Sequence, residues 1–223
     1  MRIFNADGSE GKMCGNGIRC VGKYLYDNGM TDGRTTITID TLSGVKTLEL
    51  HVSDGKMQTA RVDMGAAILE PAKIPVNMAG SSVIDAPLVV DEKVYHVTCV
   101  SLGNPHCVIF FNEDDVDDLD LSRLGPKFEH HPLFPERINT EFVNVLPDGS
   151  LKMRVWERGS GETWACGTGA CATGVAACLN GFCKPDTDIT VHLRGGDLTI
   201  RYTDETVFMT GAATTVFKGE IEI

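Results

Sequence analysis

Two cysteines, Cys14 and Cys166, open the same short pattern near opposite ends of the chain: Met13-Cys14-Gly15-Asn16-Gly17 and Ala165-Cys166-Gly167-Thr168-Gly169. The correspondence continues, with glycine at plus eight from each cysteine (Gly22, Gly174) and Asn-Gly at plus fourteen and fifteen (Asn28-Gly29, Asn180-Gly181). A cysteine at a helix N-terminus lies in a positive field that lowers its pKa and favours thiolate. Glycines directly after it expose backbone N–H groups and let a ligand come close. Each turn therefore offers an acid/base thiol beside an anion cradle. Two such turns facing one another across a cleft would place a thiol on each side of a bound carboxylate, which suits stereoinversion at the α-carbon of an amino acid. One thiolate removes the α-proton, the other thiol delivers a proton to the opposite face, and the N–H donors stabilise the enolate-like carboxylate. No cofactor is required in principle. Taken singly, each copy reads as a small buried hydrophobe in a tight turn; the matched spacing favours the chemistry.

The elements that would hold these turns repeat as well. A polar loop leads into each cysteine and a helical stretch follows, residues 18–28 and 170–180, closed by Asn-Gly as at a helix C-terminus. Each helix precedes an alternating, β-branched segment with a central turn, residues 35–52 and 188–202, which predicts antiparallel hairpins. Further strands are expected at 57–64, 94–101, 107–111, 142–146, 151–156 and 207–211, and one more helix within 113–130, limited by Pro126. The pattern predicts an α+β fold of two related units, with a boundary in the Pro- and Ala-containing stretch 65–80. The acidic run 112–121 reads as a solvated loop and helix start rather than a metal site.

The 223 residues carry a net charge of −11 and a pI near 4.9, which argues against nucleic acid and anionic membrane surfaces as partners. No apolar run approaches the roughly 18 residues of a membrane span, and the opening MRIFNADGSEGK lacks the apolar segment of a signal peptide. A cytoplasmic location is expected, with the eight cysteines as thiols. No CxxC pair supports a zinc site or a thiol redox role, so no metal is expected.

Four segments, RIFNADGSEGKMCGNGIRC (2–20), SLGNPHCVIF (101–110), RINTEFVNV (137–145) and ERGSGETWACGTGACA (157–172), closely resemble the diaminopimelate epimerase family, and the resemblance covers nearly the whole chain. The Cys-Gly-Asn-Gly form of the first turn is specific. Related proline racemases usually have histidine after Cys-Gly, and phenazine-type isomerases generally lack the cysteine pair. The resemblance implies two pseudo-symmetric antiparallel β-barrel-like domains, each around a central helix, spanning 1–65 (rejoined by a C-terminal strand, 212–223) and 66–211. It implies cofactor-independent conversion of L,L-diaminopimelate to the meso form, for lysine and peptidoglycan synthesis. By motif, Cys14 and Cys166 are the acid/base pair, and Gly15, Asn16, Gly167 and Thr168 lie on the anion-cradling turns. Asn5, Asn104, Asn139, Glu157 and Arg158 match substrate-contacting positions. The types fit a doubly zwitterionic amino acid: Arg158 can grip a distal carboxylate, Glu157 an ammonium group, and the asparagines either. His106 could support a cysteine or the ammonium, or be a satisfied strand-edge histidine.

The chain also departs from that pattern. Family members begin several tens of residues earlier, with a Met-His-Gly-x-Gly-Asn-Asp-Phe type motif. The first unit is therefore expected to be incomplete, with an open sheet edge, and the chain as written to be poorly active or unstable. Phe217 stands where the family often has tyrosine. The final strand, 214–221, is expected to return to the first unit, where it could meet a second copy in a homodimer. Three other functions remain in view: a racemase or isomerase of another amino acid, a ligand-binding form without activity, and a thiol redox protein.

Overall fold

A computed structural model of the chain describes residues 1–4, 8, 10, 11 and 13–220. They group into two compact units, Met1–Val62 with Thr210–Ile223, and Asp63–Met209. No helix among the described residues is long and apolar enough to cross a membrane, and all eight cysteines are free thiols.

In the first unit, strands β1 (Ile3–Phe4) and β2 (Glu10–Gly11) pair antiparallel. Helix α1 (Gly15–Asp27) follows, then the hairpin of β3 (Thr36–Thr41) and β4 (Gly44–Ser53), and then β5 (Lys56–Gly65), antiparallel to β4 with a bulge at His51/Val52. Alternation puts Leu48 and Leu50 of β4 on the buried face. Gly22 of α1 sits against them: a Cβ there would meet Leu48 Cδ2 at 3.0 Å and Leu50 Cδ2 at 3.2 Å. Arg19 is buried, tied to Gly15 O, Asn16 Oδ1 and Ala212 O. Only one face of α1 is covered, and Tyr24 is exposed.

The second unit carries β6 (Ala86–Val90), β7 (Lys93–Ser101), β8 (Pro105–Phe111), α2 (Leu121–Glu129), β9 (Asn139–Val145), β10 (Leu151–Glu157), β11 (Gly161–Thr163), α3 (Gly167–Leu179), β12 (Ile189–Leu193) and β13 (Gly196–Tyr202). The last strand, β14 (Val207–Ala212), runs past its end. Helix α3 is buried from Gly167 to Ala177. Its side chains are almost all small, and Gly174 lies so close to β13 that a Cβ would meet Ile200 Cγ2 at 2.7 Å. Alanine in place of a helical glycine is ordinarily worth about 1 kcal/mol; here the overlap decides for glycine. The plus-eight glycines of the repeat thus have one purpose in both units, the close approach of a helix to a strand. A separate core packs Phe128 of α2 edge-on against Phe142 of β9 and Tyr95 of β7, with ring centroids 5.8 and 5.1 Å apart.

Several expectations are corrected. Both helices begin three residues earlier than the pattern suggested, because the cysteines themselves are the N-caps. The sheet of the second unit is mixed. Strands β8 and β9 run parallel, as do β10 and β12, because a helix-containing crossover joins each pair. Pro126 lies inside α2 rather than ending it. The units divide between Val62 and Asp63, just before stretch 65–80, and the stretch itself packs into the second unit: Ile68 bridges Ser101, and Ile74 and Val76 enter its core. The expected strand at 212–223 ends at Ala212. Residues 213–220 form none, and Val216 and Phe217 are exposed, with no buried face to drive pairing. The acidic run supplies caps: Asp120 accepts from Arg123 N at the start of α2, and Lys152 holds Asp115 and Asp117 at 2.7 and 2.5 Å.

Candidate active site

The two cysteine turns are built alike. Cys14 is extended (φ −136°, ψ 116°) and caps α1, its Sγ accepting from Gly17 N at 3.3 Å. Cys166 is extended (φ −121°, ψ 110°) and caps α3, its Sγ accepting from Gly169 N at 3.3 Å. The sulfur stands where a serine or aspartate oxygen usually caps. The plus-three glycine is the donor that holds it. In each case the cysteine carbonyl accepts the first helical bond, from Ile18 N at 3.0 Å and Ala170 N at 2.9 Å. The N–H groups just after each cap have no acceptor within the helix, so each turn presents an anion site beside its thiol.

Around Cys166 the second unit gathers most of the residues singled out in the sequence. Thr168 Oγ1 lies 3.5 Å from Cys166 Sγ and accepts from Asn104 Nδ2 at 3.1 Å. Asn139 is buried and committed at both ends of its amide, donating to Pro105 O at 2.7 Å and accepting from Arg158 N at 2.9 Å. It joins the strand before His106 to the loop after Glu157. Glu157 accepts from Thr163 Oγ1 at 2.5 Å, and the Arg158 guanidinium donates to Glu136 O at 3.0 Å. Cys14, Gly15 and Asn16 belong to the first unit, with Asn16 Oδ1 accepting from Arg19. Asn5 lies outside the described residues.

Three supporting groups escaped the sequence reading. Glu141, at the centre of β9, is fully buried, with Oε1 2.7 Å from His106 Nδ1. His106 is fully buried too, so it is no strand-edge histidine. Glu129 accepts from Trp156 Nε1 at 2.7 Å and from Gly159 N at 2.8 Å, which pins the loop leading toward Cys166. Arg154 bridges Glu162 to the carbonyls of Val116 and Leu119. A charged residue within the apolar run of β9 was the available signal for Glu141.

The expected lowering of the cysteine pKa is reversed at Cys166. The thiol is 7% exposed, and burial lifts it above its ordinary value of 9.0. The carboxylates of Glu157 and Glu141 push the same way, outweighing Thr168 and the Gly169 N–H. Cys166 therefore holds its proton at neutral pH. A folded-state pKa raised above the unfolded one gives stability that is full below about pH 9 and lost as pH climbs toward the folded value. Cys107, fully buried, shifts in the same direction. Cys166→Ala removes one such proton. The fall of unfolding free energy between about pH 9 and 11 should then become shallower by about 1.4 kcal/mol per pH unit. Denaturant titrations across that range check it, and an unchanged slope would contradict a buried, protonated thiol.

The sequence pattern of diaminopimelate epimerase matches residues 1–70 and 98–216. The chain belongs to the diaminopimelate epimerase family. It is 56% identical to the diaminopimelate epimerase of Agathobacter rectalis, over all of this chain and 80% of that protein. It is 51% identical to that of Methanococcus maripaludis, over all of this chain and 79% of that protein. Among solved structures it resembles a probable proline racemase from Agrobacterium radiobacter, crystallised with bound carbonate (TM-score 0.77, 14% identity, all of this chain and 71% of that one). It also resembles a PhzF-family phenazine biosynthesis protein from Bacillus anthracis (TM-score 0.67, 16% identity, all of this chain and 80% of that one). At such identities the likeness concerns the fold, which is the α+β fold of the diaminopimelate epimerase family with its helix-and-sheet units.

Proposed function

We propose that the chain epimerises L,L-diaminopimelate to the meso form, without a cofactor, as a cytoplasmic step in making lysine and peptidoglycan precursors. The reading is carried by the pair of like-built sulfur caps, one in each unit, in a chain of this family. In the L,L-to-meso direction Cys166, which holds its proton, is assigned as the acid and Cys14 as the base. Cys14 takes the α-proton, and the C–H electron pair passes into the carboxylate, whose growing charge the N–H groups at the helix caps stabilise. Cys166 then gives its proton to the opposite face and is left as thiolate, Cys14 as thiol. The reverse reaction exchanges the roles. At the distal end Arg158, which has several further N–H donors, receives the second carboxylate, and Glu157 and Asn104 receive ammonium groups.

The test is α-proton exchange in heavy water with the full chain, reduced, and L,L-diaminopimelate. Deuterium at the α-carbon together with meso product is the expected result. Exchange from proline but none from diaminopimelate would replace this reading with a racemase of another amino acid. No exchange from either would overturn the reading.

A further inference from the structure

The least expected chemistry in the second unit lies in its interior. His106 and Glu141 are both 0% exposed and share a 2.7 Å contact between Nδ1 and Oε1. Two of their polar atoms, His106 Nε2 and Glu141 Oε2, are buried without a hydrogen-bond partner. A pair placed only for stability has little reason to leave such atoms orphaned: each bears an uncompensated desolvation cost, and apolar residues of similar volume often serve a core better than a buried ion pair. The pair also lies beside the catalytic turn. A Cβ on Gly169 would meet Glu141 Oε1 at 2.7 Å and Cys166 Sγ at 3.3 Å, so the carboxylate and the sulfur touch the same point of the first turn of α3. Parallel pairing of β8 and β9 fixes this arrangement. It sets His106 opposite Asn139 and Val108 opposite Glu141, and Asn139 in turn holds the carbonyl of Pro105.

We propose that Glu141 is a positioning residue of the Cys166 half of the site: its buried carboxylate accepts the His106 Nδ1 proton, fixes the ring in that tautomer, and leaves Nε2 as a proton acceptor there. This rests on the epimerase reading for its link to turnover, but the tautomer it requires does not. With Glu141 ionised and the imidazole neutral, the ring proton sits on Nδ1 and Nε2 presents its lone pair. A carboxylate that sets a histidine tautomer can govern rate by a large factor without touching substrate. Gly169 is then glycine because a Cβ would collide with Glu141 Oε1, while its backbone N–H donates to Cys166 Sγ.

The deciding measurement is nitrogen NMR of the full chain labelled at histidine. His106 should appear neutral with Nδ1 protonated, and Glu141→Gln should broaden or convert that signature. A His106 protonated on Nε2 in the unaltered chain would overturn the proposal whether or not any variant folds. In the exchange assay, folded Glu141→Gln should lose at least about tenfold in kcat with KM within about threefold. His106→Asn combined with Glu141→Gln should be no slower than His106→Asn alone. An unchanged kcat in Glu141→Gln, or losses that simply multiply, would also overturn it. If the unaltered chain exchanges no α-proton of diaminopimelate, the functional reading falls, while the tautomer still decides what Glu141 does to His106.

Discussion

Cys14→Ala and Cys166→Ala are each expected to cut formation of meso-diaminopimelate by roughly a thousandfold or more. A positioned acid or base contributes about 10²- to 10⁴-fold, and each variant removes one of two such groups from every turnover. The losses should differ in kind. With Cys166 gone, Cys14 can still take the α-proton of the L,L isomer and return a deuteron to the same face, so label enters without inversion. With Cys14 gone and Cys166 holding its proton, the L,L isomer should take up no label. Chiral chromatography with mass detection separates these outcomes. Either variant within about tenfold of the unaltered chain in meso product would rule out the two-thiol mechanism. The same result would follow for label entering the L,L isomer equally in both. Neither substitution should unfold the chain, since each removes one sulfur atom from a cap whose backbone hydrogen bonds remain.

Gly125→Ala should have the largest effect on stability, about 3 kcal/mol or more. In an exposed helix the change would stabilise by about 1 kcal/mol. Here the new methyl would fall on the Trp156 indole, at Cδ2 and Cγ, with 2.6 Å to Cε3. The ring cannot swing aside freely, because Nε1 is bonded to Glu129 Oε2, and Glu129 is itself buried. Overpacking alone costs about 1–3 kcal/mol. Displacing the ring also strands the Glu129 carboxylate, which adds about 1–3 kcal/mol. Urea unfolding followed by tryptophan fluorescence measures the loss, and a midpoint equal to that of the unaltered chain would refute the account. Because Glu129 also holds Gly159 N, the variant should lose turnover as well, through the loop that carries Glu157 and Arg158 toward Cys166.

The repeat made half of this architecture readable in the sequence. Asn28 and Asn180 mark the helix ends, and the following glycines adopt the positive φ, +75° and +78°, that such ends require. The helix starts were not readable to the residue, because cysteine is an uncommon cap and the glycines after it argue locally against helix. Alternation located most strands but carries no direction, so the parallel pairs β8–β9 and β10–β12 had to come from the crossovers. Strand β6 was missed because it is short and holds Pro87. Both cysteines, and the Asn104, Asn139, Glu157 and Arg158 set, stood out by type and motif. Glu141 and Glu129 did not, since their importance lies in burial and partners far along the chain.

The helices behind the two thiols differ in how far water reaches them. Every residue of α3 from Gly167 to Ala177 is buried, whereas α1 buries Gly15, Ile18, Arg19 and Gly22 and leaves much of its length wet. Backbone amides deep in a covered element exchange with solvent only when the whole cooperative unit opens, while those of a half-covered helix escape through small local openings. The Cys166 thiol is thus mounted on the last part of its unit to loosen, and the Cys14 thiol on a part that breathes. Hydrogen exchange followed residue by residue should therefore find the amides of α1 exchanging sooner than those of α3.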